Sequence, residues 1–169
     1  MQNARWAIRA AILALGLAIP AAAGPGAAKT AAPPARREIQ AIYRKIDAAI
    51  DQKDADTALD YDADDCQYYD KKGNLLAEGS GRQEAVDVLD KVDIAKETTV
   101  ITGFTGSDTD ATATTKSHVV LSFSNTINGR AAKISFDDIS RDYWVKTDDG
   151  WKRKRSREIK GSFAIHKNF

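Results

Sequence analysis

Cysteine is almost absent: Cys66 is the only one. One thiol cannot close an internal bridge, so no disulfide frame holds this chain together. A buried small apolar residue is the plain role for it; pairing between chains or a reactive thiol are the alternatives. Proline is confined to positions up to Pro34, four in all, so nothing downstream is interrupted by one. Histidine is scarce too, with His118 and His166 alone, and no His/Cys cluster has zinc spacing. The acidic stretch DADTALDYDADD lacks the glycine and distant glutamate of a calcium loop. It reads as helix caps and a solvated acidic face, and no metal is assigned. No G-x-S-x-G marks a hydrolase nucleophile. Charge of one sign is also lacking: 25 Lys and Arg stand against 24 Asp and Glu. A near-neutral chain does not advertise nucleic acid or an anionic membrane as partner.

What is present begins with MQNARWAIR, AAILALGLAIP and AAAG. A basic start, an apolar run of about ten residues and an A-x-A site make a secretory leader. Cleavage after Ala23 leaves 23 basic against 24 acidic residues. The apolar run is shorter than the ~20 residues of a membrane span, so the mature chain is expected to have no integral membrane segment; an uncut N-terminal anchor is the alternative. No twin-arginine pair or nearby cysteine occurs, which predicts the general secretory route and a periplasmic or extracellular location. Residues 24–35, GPGAAKTAAPPA, read as a flexible linker. Residues 36–169 read as one domain.

Ile39, Ile42, Tyr43, Ile46, Ala49 and Ile50 recur at helical spacing, predicting a helix from Pro34 or Ala35 to Gln52 with Arg36, Arg37, Lys45 and Asp51 turned outward. Asp54 or Asp56 caps a short helix carrying Ala58, Leu59 and Tyr61. CQYYD, KKGN and LLAE read as strand, turn and return strand. SGRQEAVDVLDKV starts a second amphipathic helix, with Ser80 or Gly81 as cap. Four strands follow: TTVITGFTG, ATATTKSHVVLSFSN, AAKISFDDISRDYWVK and WKRKRSREI, with an Asn-Gly turn between the second and third. KGSFAIHKNF reads as a loose or edge-covering tail. The fold class is α+β: a curved antiparallel sheet wrapped around a long N-terminal helix.

This order resembles the nuclear transport factor 2-like superfamily, a cystatin-like cone, in its SnoaL-like and ketosteroid-isomerase-like branches. The resemblance is carried by REIQAIYRKIDAAIDQKDADTALDY, YYDKKGNLLAEGSGRQEAVDVL and RDYWVKTDDGWKRKRS, about residues 37–157. It implies a pocket between the long helix and the concave sheet face, used by family members as isomerases, dehydratases, cyclases or binding modules. Fold does not choose among these.

In the third long strand Ile134, Phe136, Asp138, Ser140, Asp142 and Trp144 share one face by alternation. If that face is inner, Asp142 is the candidate proton-transfer carboxylate, or it pairs with Arg155 or Arg157 on the next strand. Tyr43, Tyr61, Tyr69, Phe136, Asp138, Trp144 and Arg155 are the candidate pocket residues, with Tyr68 a further acidic donor. His118 falls on the opposite face, an outer-face or interface histidine unless it is a general base. The basic run KRKRSREIK reads as a solvated edge with one or two internal ion pairs. Three functions remain open: binding of a small apolar molecule or a protein in the cone, cofactor-free isomerase or lyase chemistry by carboxylate proton transfer, and homodimerisation through the outer sheet face.

Overall fold

A computed structural model describes residues 33–79, 81–127 and 130–167. The expected leader, most of the linker, Ser80, and Asn128 and Gly129 of the Asn-Gly turn lie outside the described residues. The order is α1 (Pro34–Asp51), α2 (Ala55–Leu59), β1 (Asp62–Tyr69), β2 (Leu75–Glu78), α3 (Arg82–Leu89), β3 (Ile94–Gly106), β4 (Asp110–Ile127), β5 (Arg130–Thr147) and β6 (Gly150–Lys167). One six-stranded sheet has the order β2-β1-β6-β5-β4-β3. β1 runs parallel to β6, and every other pair is antiparallel.

The helix starts where the proline allows it: Pro34 occupies the first turn, which needs no backbone donor. Its buried stripe, Ala35, Ile39, Tyr43, Ile46, Ala49 and Ile50, packs into the core with Leu89, Val92, Val119, Leu121, Trp144 and Trp151. Asp54 caps α2 by accepting from the Thr57 N–H at 3.0 Å.

A second face of α1 is also engaged, which corrects the outward placing of Arg36 and Asp51. β3 is an edge strand, and its free backbone groups are met by helix side chains. Arg36 donates to the Ile101 carbonyl at 3.0 Å and Gln40 to that of Thr99 at 3.0 Å. The N–H groups of Ile101, Thr99 and Glu97 donate to Gln40, Asp47 and Asp51 at 2.8, 2.9 and 3.1 Å. The periods match: four helical residues rise about 6 Å and two strand residues about 6.7 Å. Position after position of the helix therefore meets alternate residues of β3, and the edge from Glu97 to Ile101 is closed to other chains.

The expected loose tail is strand: β6 continues to Lys167, its residues paired with β5 out to Ala132. An irregularity between Ile139 and Ser140, where Ile159 is the extra residue, lets the ladder restart. β1 accompanies β6 only as far as Arg157. Beyond that point no described strand lies on β6's outer side.

Candidate functional site

Register fixes which side chains face the helix. Ala95, Leu121, Ile134 and Ile165 form one cross-strand row on the concave face. Glu97, Val119, Phe136 and Phe163 form the next, then Thr99, Ser117, Asp138 and Gly161, and then Ile101, Thr115, Ser140 and Glu158. The face is thus apolar at one end and polar in the middle. The alternation expected for β5 holds, with Asp138, Ser140, Asp142 and Trp144 all buried.

The deepest polar cluster is built on Arg153. Its Nε donates to Asp62 Oδ1 at 2.7 Å, and its Nη1 lies 3.8 Å from Asp142 Oδ2. Tyr43 donates to Asp142, and Tyr68 donates to Asp62. Trp144 Nε1 donates to the Tyr43 hydroxyl at 3.1 Å, with the two rings edge to face at 5.4 Å. The guanidinium also sits 5.7 Å from the Tyr68 ring and 5.8 Å from that of Trp144. Burial raises both phenols well above their usual range, and the Asp142 and Asp62 charges add to it. Burial raises Asp142 as well, against the pull of Arg153. Burial alone would lower Arg153, but Asp62, Tyr68 and Asp142 hold it well above its ordinary value.

Asp142 is therefore tied to Tyr43 and Arg153, not to Arg155 or Arg157. The reason is a bulge. Tyr143 pairs with Arg155 and Trp144 with Arg153, so Lys154 is an extra residue. Arg153 then shares the inner face with Ser156, where strict alternation puts it with Arg155.

A second acidic group occupies the middle rows. Asp138, 1% exposed, accepts from Ser140 at 2.9 Å through Oδ2, while Oδ1 has no hydrogen-bond partner among the described residues. Burial, opposed by the Ser140 hydrogen bond and reinforced by Glu158 and Asp142, pushes its carboxyl up to about 8. Burial and the neighbouring Asp47 push Glu97 up to about 8. Thr99 Oγ1 lies 3.4 Å from Glu97 and 2.7 Å from Ser117 Oγ. No group of three or more His, Cys, Asp or Glu is arranged to hold a metal among the described residues.

The expected pocket residues divide by face. Tyr43, Asp142 and Trp144 come together, with Phe136 and Asp138 further along the same face. Tyr61 is half-buried against the core, and its carbonyl accepts from the Arg153 N–H at 2.7 Å. Tyr69 and Arg155 do not belong to the cone. They stand on the convex face, where the Arg155 guanidinium lies 5.8 Å from the Tyr69 ring and Tyr69 donates to Gln67 at 2.9 Å. In β1 the buried members of the alternation are Cys66 and Tyr68, so Tyr69 points the other way. His118 is convex as well, 2.8 Å from Asp137. Burial, then the Asp62 charge, pushes the Cys66 thiol up to about 12, so it is no nucleophile at neutral pH. Arg153, Asp62, Glu97, Asp47 and Glu158 are the site residues that periodicity did not single out.

A sheet wound about a long helix, with polar groups buried between them, defines the architecture: the chain has a cystatin-like α+β fold. It is similar to a protein from Kribbella flavida at TM-score 0.63 and 12% identity, over 78% of this chain and 92% of that one. A candidate scytalone dehydratase from Novosphingobium aromaticivorans matches at TM-score 0.57 and 14% identity, over 79% and 83%. A Nostoc punctiforme domain of unknown function with a cystatin-like fold matches at 0.52 and 15%, over 75% and 78%. No family model and no curated protein matches the sequence. At these identities the likeness concerns the fold.

Proposed function

We propose that this protein is an exported domain that holds a small, mainly apolar molecule in the cone. The observation that carries the reading is the uncovered apolar end of the concave face. Phe136 and Phe163 lie tilted against each other there with centroids 6.3 Å apart, yet Phe163 is 68% and Ile165 45% exposed. Large apolar side chains left open in a concavity, with polar groups beside them, are what a ligand site presents. Thermal unfolding against steroids, polyketide-like aromatics, fatty acids and hydroxy-ketones tests it, because a ligand of the native state raises Tm by mass action. A Tm rise lost in Phe163→Ala supports the reading. No rise with any class, or a rise indifferent to Phe163 and Phe136, removes it and turns the search to protein partners.

Proton transfer on that ligand is the second reading, favoured by the place of Asp138 beside the apolar end, where burial pushes its carboxyl up to about 8. Asp138 takes this role in preference to Asp142, whose Oδ2 already meets Tyr43 and Arg153. A cofactor-free isomerase or lyase is the corresponding class, for which the dehydratase-like neighbour gives fold-level support only. Turnover unchanged in Asp138→Asn, in an assay that first shows activity, ends it. Export rests on the leader pattern. A protein recovered outside the cytoplasm should begin at Gly24; one retained inside the cell and starting at Met1 contradicts export.

A further inference from the structure

The middle of the concave face contains a notch that the ligand reading leaves unexplained. Gly161 stands opposite Asp138 in the β5–β6 ladder. Its φ is not in the left-handed region, so the backbone does not require glycine there. What matters is the missing side chain. A Cβ at this position would come within 2.7 Å of Glu158 Oε1 and 3.3 Å of Asp138 Oδ1. Glycine inside a strand often marks a close approach by another group. Here two carboxyls converge on the space, and one of the converging oxygens is the buried Asp138 Oδ1 that has no partner. Gly161 itself is exposed, so the notch opens to solvent while Asp138 forms its floor.

The charge around the notch is one-sided. No ion pair within 4.0 Å reaches Asp138, Glu158 or Glu97 among the described residues. Arg153 is committed to Asp62 and Asp142. A group of at least three metal ligands is absent among the described residues, which favours an organic cation over a metal ion. An ammonium group has three donors and no acceptor, so it suits two carboxyls whose oxygens all become acceptors once Asp138, held protonated by burial up to about pH 8 in the empty site, gives up its proton to solvent on binding. The Phe136 and Phe163 side chains stand in the next row of the same face, beside the notch, where they can take the hydrocarbon of such a ligand.

We propose that the notch at Gly161 binds the protonated amino group of a small apolar amine, with Asp138 and Glu158 as its acceptors and the hydrocarbon lying along Phe136, Phe163 and Ile165. This rests on the cone being a ligand site and names the class of ligand. The test is titration calorimetry of the protein with 2-phenylethylammonium, its neutral isostere 2-phenylethanol and the anion 3-phenylpropionate. The amine is expected to bind at least tenfold more tightly than the alcohol, and the anion not at all. Gly161→Ala fills the notch and displaces the Glu158 carboxylate; Asp138→Asn removes the capacity to ionise at constant shape. Each should cut amine affinity about tenfold and leave the alcohol unchanged, with circular dichroism and Tm confirming that both variants fold. Alcohol binding equal to amine binding overturns the amine proposal and leaves the cone reading standing. Undiminished amine binding in both folded variants overturns it as well. If none of the three ligands binds, the amine proposal falls, and the cone reading then depends on the wider ligand panel.

Discussion

Asp138→Asn carries the sharpest stability prediction. An aspartate in an unfolded chain titrates near 3.9, and the folded protein pushes Asp138 up to about 8. Between those values the native state keeps a proton that the unfolded state has released. Stability from this group is therefore full below about pH 4 and falls as pH rises towards 8. Each unit of that interval is worth about 1.4 kcal/mol. Asparagine has nearly the same shape and no charge to desolvate, so the variant escapes the decline. The stability difference, variant minus native sequence, should grow by roughly 4 kcal/mol between pH 5 and pH 8. Glu97 adds its own decline in the same direction, but it acts on both proteins and cancels in the difference. Urea unfolding at several pH values measures it, with m values compared to check that the transition keeps its two-state form. Parallel pH profiles for the two proteins would refute the argument, since Asp138 would then ionise in the fold as it does in water.

Arg153→Met should lower stability by about 3–5 kcal/mol, because Asp62 and Asp142 are left buried without their cation; chemical denaturation reads it, and adding Asp62→Asn should recover part of the loss. Tyr43→Phe should cost about 1–3 kcal/mol by stranding Asp142 and the Trp144 N–H, again by denaturation. Cys66 should react with a thiol reagent only at the rate of unfolding, and fast modification in the native protein would contradict its burial. Tyr69→Ala and Arg155→Ala, on the convex face, should leave ligand affinity in the cone unchanged within error, as followed by calorimetry.

The helices, the β3–β6 meander and the inner face of β5 were legible because each rests on a local period. Tyr43 falls on the helical stripe, and Asp138, Asp142 and Trp144 fall on one side of a period of two. What was not legible depends on departures from period. The extra residue at Lys154 turns Arg153 inward, and nothing in KRKRSRE marks it, since either phase of the alternation is equally basic. Tyr68 and not Tyr69 enters the cone by plain alternation with Asp62 and Cys66, but in a strand this short each phase of CQYY carries a tyrosine, and the choice stays open until the burial of Cys66 is known. The helix–edge contacts of Arg36, Gln40, Asp47 and Asp51 have helical spacing, but polar residues at that spacing look like a solvated face until the edge strand is beside them. The continuation of the final strand through Lys167 was not legible, because KGSFAIHKNF alternates weakly and takes its order from β5, which is long enough to template it.

The near-neutral total charge is the least informative number in this sequence, because it sums two faces with different shares of acids and bases. The concave side carries Asp62, Glu97, Asp138, Asp142 and Glu158, of which Asp62 and Asp142 meet Arg153. The convex face carries Lys116, Arg141, Arg155, Arg157 and Lys160, with Arg141 directly opposite Arg157 in the ladder. Like charges facing each other across strands are unfavourable, and the acid within that stretch of β5, Asp137, is taken by His118. Two copies joined by a twofold axis through the middle of this face would set these cations against their own counterparts. Pairing there requires an offset axis or screening ions between the sheets. Acids unpaired among the described residues thus gather on the concave side, while on the convex side Asp65, Glu78 and Asp137 stand among the cations, an uneven distribution that the composition does not record.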